Sequence, residues 1–241
     1  MGLQKPLVSV LVVNYNRADL LQECLESLIK QTFTDLEIIV VDNGSTDSSR
    51  TVLDSFPAGR VIPLFLDSNT GFAGGCNAGF RIARGTYVAL LNNDATAAPD
   101  WISELVRAVH DFPEYGMWAS KILFAGTDII DKTGHLIFWD GQNRGRGTGE
   151  KDTGQYDEVG GPLFPDGCAA LYRRDLLEEA GGFDEDFFAY ADDADLGLRL
   201  RWMGCHCGFA PKAVVHHRHS STLGGFSPEK VYLVERNRFW L

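Results

Sequence analysis

A doubly wound α/β domain with a mostly parallel sheet is the fold class this sequence predicts, and three observations carry that expectation. Apolar, β-branched runs at Leu7 to Val13, Leu36 to Val41 and Tyr87 to Leu91 read as strands buried on both faces. Segments with apolar residues at helical spacing alternate with them, as βαβ units require. Each run also ends in Asn or Asp, at the carboxyl ends of strands where open α/β sheets bind ligands.

The elements follow in order. Leu7 to Val13 stops at Asn14-Tyr15-Asn16, and Asp19 to Lys30 then places Leu20, Leu21, Cys24, Leu25, Leu28 and Ile29 on one helical face. Leu36 to Val41 ends at Asp42 and completes a βαβ unit. A helix near Asp47 to Phe56, a strand near Val61 to Leu66, a helix near Phe72 to Arg84 and the strand Tyr87 to Leu91 continue the alternation. After a helix over Trp101 to Phe112 the regularity falls away. Gly141 to Gly161 is rich in Gly and charge without apolar periodicity and reads as a mobile loop. Order returns with a strand over Gly167 to Tyr172, helices over Asp175 to Ala180 and Asp193 to Met203, and a strand over Ala213 to His217. An amphipathic helix from Pro228 ends on Phe239-Trp240-Leu241 without a C-cap signal, so the natural chain is expected to run on.

Bulk composition narrows the function. The 241 residues suffice for one enzyme-sized core, and no repeat period is visible. A formal charge of −11 argues against a nucleic-acid surface, which draws its affinity from clustered Lys and Arg. A phosphate-bearing ligand on so acidic a chain needs a divalent cation, backbone N–H groups or a few placed Arg residues to offset repulsion. Cys24, Cys76, Cys168, Cys205 and Cys207 show no C-x-x-C spacing, which suggests neither a disulfide framework nor structural zinc and fits a reducing cytosol best. Nothing reads as a signal peptide or a transmembrane segment.

Several clusters carry chemistry. Asp42 follows a buried strand and projects into the crevice where a base or ribose binds, whereas Asp47 reads as an ordinary helix cap. Asn69 to Gly79 is glycine-rich but lacks the Lys-Ser/Thr of a phosphate loop. Asn92-Asn93-Asp94 places a carboxylate at a strand end, suited to Mg²⁺ or Mn²⁺ beside diphosphate oxygens. Asp192-Asp193-Ala194-Asp195 packs three acids at a helix start, more than capping requires. Of these, Asp195 pairs at i, i+4 with Arg199, which leaves Asp192 or Asp193 for the cleft. In His216-His217-Arg218-His219 strand alternation sets His217 and His219 on one face and His216 on the other, so either face offers an imidazole to a metal or a diphosphate.

In order along the chain, Val12-Val13-Asn14-Tyr15-Asn16-Arg17, Val41 to Asp47, Asn69 to Gly79, Leu91 to Asp94, Gly181 to Glu185 and Asp192 to Leu196 resemble the family 2 glycosyltransferases of the GT-A fold. The likeness is strongest to the rhamnosyltransferase-like branch that builds bacterial surface polysaccharides. It covers nearly the whole chain and implies one GT-A domain, with a nucleotide-sugar-binding half over 1–98, an acceptor-binding half over 99–226 and a C-terminal helix over 227–241. It implies donor contacts from Asn14, Asn16, Arg17, Asp42, Asn69, Gly74, Asn77 and Asn93, and acceptor contacts from Asp166, Gly167 and Asp192. Asp193 is then the catalytic base and Asp94 the ligand of Mg²⁺ or Mn²⁺, with His217 assigned beside it and His216 as the alternative. Two positions depart from the family pattern: the metal motif reads Asn-Asn-Asp rather than Asp-x-Asp, and the usual Glu-Asp pair is Asp192-Asp193.

The expected reaction is direct displacement with inversion, from a dTDP-rhamnose, UDP-sugar or GDP-sugar donor to a hydroxyl of a glycan or lipid-linked glycan. The expected place is the cytoplasm, or the inner face of the membrane if the acceptor is lipid-linked. Oligomeric state is not legible. Two rivals remain at this stage: an inactive nucleotide-sugar-binding subunit, and a nucleotidyltransferase, which usually carries a Gly-rich, Lys/Arg-bearing loop after its first strand where this chain has Arg17 alone.

Overall fold

The computed structural model describes residues 5–140, 142–218 and 227–241; His219 lies outside the described residues. Strands β1 (Val8–Asn14), β2 (Leu36–Asp42), β3 (Ile62–Phe65) and β4 (Tyr87–Leu91) pair in parallel, joined by helices α1 (Ala18–Ile29), α2 (Ser49–Ser55) and α3 (Gly71–Ile82). Then come β5 (Ala95–Ala97), α4 (Trp101–Asp111), β6 (Met117–Phe124), β7 (Ile130–Lys132), β8 (His135–Ile137) and β9 (Asn143–Gly145). The chain continues through β10 (Ala169–Arg173), α5 (Arg174–Ala180), a 3₁₀ turn at Glu185–Phe187, α6 (Asp192–Trp202), β11 (Cys207–His217) and α7 (Pro228–Arg238). The main sheet runs β3-β2-β1-β4-β10-β6-β11-β5, with β7 on β6 and a separate β8–β9 hairpin.

Alternation along β1 explains the two-layer core. Val8, Val10 and Val12 face the layer of α1 and α4, where Leu21, Leu25, Trp101 and Leu105 are buried. Leu11 faces α3 and α6. The glycines of α3 belong to this packing. A Cβ on Gly79 would lie 3.0 Å from Val41 Cγ2, and one on Gly75 would lie 2.6 Å from Val13 Cγ1. The glycine-rich stretch therefore brings a helix against strands, and a buried Leu11 truncated to Ala in so close a contact would cost about 2–5 kcal/mol.

The second half differs from expectation in three places. The irregular stretch after α4 contains β6, a central and almost wholly buried strand. The strand expected at Ala213 begins at Cys207 and passes an irregularity between Ala210 and Val214. The segment read as a mobile loop over 141–161 is tied down across its described residues. Lys121 on β6, itself buried, holds Asp152 at 3.0 Å and Asp157 at 2.8 Å. Arg146, also buried, reaches Thr133 Oγ1 and the Gly160 carbonyl and lies over the rings of Tyr156 and Phe209. Charge and aromatic contacts order this segment where apolar periodicity is absent.

Candidate active site

Strand direction decides which residues meet. β1 and β2 pair without a shift from Val8↔Leu36 to Asn14↔Asp42, so Asn14 and Asp42 sit side by side at the carboxyl edge. Asn14 is fully buried and acts as a hub there: its amide donates to Ser49 Oγ at 2.9 Å, and its oxygen accepts from Asn93 Nδ2 at 2.9 Å. Asn16, left-handed at φ 52°, accepts from the Thr46 N–H and joins the loops after β1 and β2. Asp47 caps two helices, taking the Ser49 N–H on one oxygen and the Ala18 N–H on the other. Asn69 accepts from Asn43 and from the Gly71 N–H. Asn77 clasps Phe183 through both its backbone groups, and a Cβ on Gly74 would meet Thr70. Of the residues expected on the donor side, Asn14, Asn16, Asn69 and Asn77 thus hold the rim in shape.

Asp94 lies just past β4, and β11 brings His217 to it: His217 Nε2 is 3.2 Å from Asp94 Oδ1. The other ring nitrogen, Nδ1, is 2.7 Å from Asp131 Oδ2, and Asp131 is only 1% exposed. Burial opposes charge on His217, yet the Cys168 sulfur, Asp131 and Asp94 together raise it well above the usual imidazole range. Burial also raises the Cys168 thiol, so at neutral pH the two carboxylates carry the effect. A cation between them would have to displace the Nε2 proton; the carboxylate oxygen and the neutral imidazole nitrogen, with the far nitrogen on a carboxylate, would then make a donor set suited to Mn²⁺ or Mg²⁺. His216 pairs with Thr96 in β5 on the opposite face. Beside His217 a cavity of about 450 Å³ is lined by Arg17, Leu20, Phe124 and Arg218.

The acidic cluster joins this edge through an antiparallel strand. β10 runs against β4 with Ala169 opposite Leu91, and the Asn92 N–H donates to the Cys168 carbonyl. The turn before β10 therefore lies beside the end of β4. From it the Gly167 N–H donates to Asp193 Oδ2 at 2.9 Å, while Ala194 N–H holds Asp193 Oδ1 at 2.8 Å. Asp193 keeps 17% of its side chain exposed, whereas Asp192 is buried. Burial, then the neighbouring Asp193, raises the Asp192 carboxyl well above its usual range. Asp195 is bound to Arg199 at 2.6 Å, the i, i+4 pair expected from the sequence.

Asp166 is the centre of a second charged group. Its Oδ2 lies 2.7 Å from Lys132 Nζ and 2.8 Å from His135 Nε2, and its Oδ1 accepts the Cys168 N–H. Burial would raise this carboxyl, but Lys132 and His135 outweigh it and hold it well below the usual range. His135 is also 3.9 Å from Asp193 Oδ2. Ligand atoms of His135, Asp166 and Asp193 lie within 4.8 Å of one another, a spacing that can hold a metal. The Lys132 ammonium supplies positive charge in that corner. Asp131, Lys132 and His135 were not among the residues expected from the sequence. Alternation on β7 sends Asp131 to His217 and Lys132 to Asp166.

A mixed sheet of this order, with helices on both faces and acids gathered along one edge, defines an α/β enzyme-like class, and comparison with known proteins gives the family. Residues 9–181 match the model of glycosyl transferase family 2, so the chain belongs to that family, and its architecture is the GT-A fold. The O-antigen biosynthesis protein RfbC of Myxococcus xanthus is 30% identical over 94% of this chain. The chain spans 18% of that relative's length and 54–60% of the next three curated relatives. Among solved structures, the mannosyltransferase PcManGT from Pyrobaculum calidifontis, in complex with GDP-Man and Mn²⁺, superimposes with a TM-score of 0.68 at 23% identity, covering 90% of this chain and 58% of that one. S. aureus TarS 1–349 with UDP-GlcNAc gives 0.65 at 19% identity, covering 96% and 65%. Among the described residues no helix is long and apolar enough to cross a membrane.

Proposed function

We propose that this chain is the catalytic domain of an inverting glycosyltransferase, moving a sugar from a nucleotide diphosphate to an acceptor hydroxyl. The observation that carries it is the convergence on one sheet edge of two separate carboxylate sites: Asp94 with His217, and Asp193 held by the Gly167 N–H. Support for the donor class comes from the GDP-Man and UDP-GlcNAc bound by the two structural relatives.

Asp94 and His217 would hold Mn²⁺ or Mg²⁺, which neutralises charge on the leaving diphosphate. Asp131 fixes the imidazole so that Nε2 faces Asp94. Asp42, Asn93 and Arg17 receive the nucleotide, on a rim that Asn14, Asn16, Asn69 and Asn77 keep in shape; Gly74, buried inside α3 against Thr70, serves packing rather than the donor contact expected of it. Asp193 takes the acceptor hydroxyl's proton as that oxygen attacks the anomeric carbon opposite the leaving group, which inverts the configuration. Lys132 and His135 keep Asp166 ionised and aimed at the acceptor, with Gly167 and Asp192 completing that side. The acceptor class is a glycan or lipid-linked glycan of a bacterial surface polysaccharide, a class that the name of the RfbC relative supports, and the place of transfer is the cytoplasm or the inner membrane face.

A thermal-shift panel of UDP-, GDP- and dTDP-sugars with Mn²⁺, followed by radiolabelled transfer from the best binder to cell-envelope extract, tests the proposal. A glycoside product that disappears in excess chelator is the expected result. Binding without product points to an inactive subunit, nucleotide transfer points to a nucleotidyltransferase, and full activity in chelator removes the metal role of Asp94.

A further inference from the structure

Just before Asp192 and Asp193 the backbone takes an uncommon path. Phe188, Tyr190 and Ala191 have φ of 62°, 70° and 63°, in the left-handed region that residues with a Cβ seldom adopt. Such a turn persists only where its surroundings over-determine it. From one side, α3 approaches it: the Ala73 N–H donates to the Phe188 carbonyl, and Gly71 lies so close that a Cβ there would overlap that oxygen.

On the other side lies α7. This helix leaves Val231 51% and Tyr232 64% exposed, while Asn237 is 0% exposed. The Asn237 amide donates to the carbonyls of Phe187 at 3.0 Å, Ala189 at 2.9 Å and Tyr190 at 2.6 Å. Arg236 adds bonds to the carbonyls of Asp186 and Phe187, both at 2.8 Å, and its Nε–H donates to Asn237 Oδ1. Trp240 packs edge-on against Phe187. A helix that only needed to dock would place an apolar side chain at this buried position, as it does at Leu233. The amide instead supplies a donor to the Ala189 and Tyr190 oxygens and adds to the Phe187 oxygen, which already accepts the Ala189 N–H.

We propose that Asn237, braced by Arg236, is a positioning residue that holds the left-handed turn Phe188–Ala191 and so sets where α6 starts and where its Asp193 sits in the site. This rests on the reading of Asp193 as the base. A shift of this turn therefore moves the acceptor-side carboxylate relative to β1, β2 and the Asp94 side.

The test compares the wild-type chain with Asn237→Ala and, as a milder change, Arg236→Gln. Turnover is followed as nucleoside diphosphate release from UDP-GlcNAc, GDP-mannose and dTDP-rhamnose in cell-envelope extract, and binding is followed with UDP, GDP and dTDP plus Mn²⁺. Asn237→Ala is expected to lower kcat about 100-fold, the effect of misplacing a reacting group by about 1 Å. Nucleotide affinity should stay within about twofold, because the groups moved are those used only in the transition state. Hydrogen exchange should quicken at least about tenfold across Phe187–Asp195 and stay unchanged in β1 and β2. A folded variant with kcat within about threefold of wild type, or one whose nucleotide affinity falls in step with turnover, overturns the proposal. If Asn237→Ala does not fold, Arg236→Gln is judged by the same criteria. A wild-type chain that turns over none of the nucleotide sugars refutes the transferase reading instead, and exchange at Phe187–Asp195 still decides the clamp.

Discussion

Replacing Asp131 with Asn tests how the cation site is built. Asp131 is 1% exposed and its Oδ2 lies 2.7 Å from His217 Nδ1, a charge-assisted contact in a dry setting. Asn keeps the volume and an oxygen acceptor but removes the charge, so the ring loses basicity and its fixed orientation toward Asp94. Losses of such outer partners cost about 10–100-fold in metal affinity, which is about 1.4–2.7 kcal/mol. Mn²⁺ titration followed by electron paramagnetic resonance, with UDP or GDP present, measures this without turnover. Asp131→Asn should weaken Mn²⁺ binding by that factor, and Asp94→Asn by more. Equal Mn²⁺ affinity in wild type and Asp131→Asn would refute the orienting role, and no saturable Mn²⁺ binding by the wild-type chain would refute the site itself.

Two further predictions concern pH. Burial opposes ionisation of Glu37, but bonds from Ser9, the Arg84 N–H and the Arg84 guanidinium outweigh it and lower its carboxyl. The stability it adds is therefore complete above its unfolded value and lost as pH falls through the lower folded one. Melting temperature of the wild type should drop more steeply below about pH 5 than that of Glu37→Gln, and parallel curves would contradict this. Asp192 is the opposite case: its folded carboxyl is raised by burial and by Asp193, so the unfolded chain releases a proton that the folded one keeps. Stability then falls as pH rises above the ordinary Asp range, and Asp192→Asn should melt higher than wild type at pH 8 with the gap closing toward pH 4; a variant less stable at pH 8 would count against the reading.

The first half of the fold was legible because each strand announces itself. β1, β2 and β4 are near-continuous apolar runs, broken by single polar residues at Ser9 and Glu37, and Asn14, Asp42 and Asn92-Asn93-Asp94 follow or close them. β6 was hidden because Ser120 and Lys121 interrupt its apolar run. Both are buried: Ser120 accepts the Trp101 indole N–H, and Asp152 and Asp157 neutralise Lys121 from a distant segment. Gly208 and Pro211 hid the start of β11 in the same way. In the site, Asp193 and Asp195 could be told apart from spacing alone, since Arg199 stands four residues after Asp195. Asp131, Lys132 and His135 could not, because Asp131 to His135 reads locally as a polar turn and only pairing with β6 brings it between His217 and Asp166. Nothing local distinguishes Asn237 from any polar residue on a surface helix; its meaning comes from the strained turn it meets.

The central claim, that Asp193 is the base of sugar transfer, is tested most directly by Asp193→Asn. The measurement is radiolabelled transfer from the best-binding nucleotide sugar, alongside nucleotide affinity and melting temperature. The carboxylate accepts the Gly167 and Ala194 N–H groups on separate oxygens, and an amide can accept only one. A stability loss of about 1–3 kcal/mol is therefore expected as well. The account predicts transfer reduced about 10²–10⁴-fold with nucleotide binding intact, and a folded Asp193→Asn variant with near-normal transfer would contradict it.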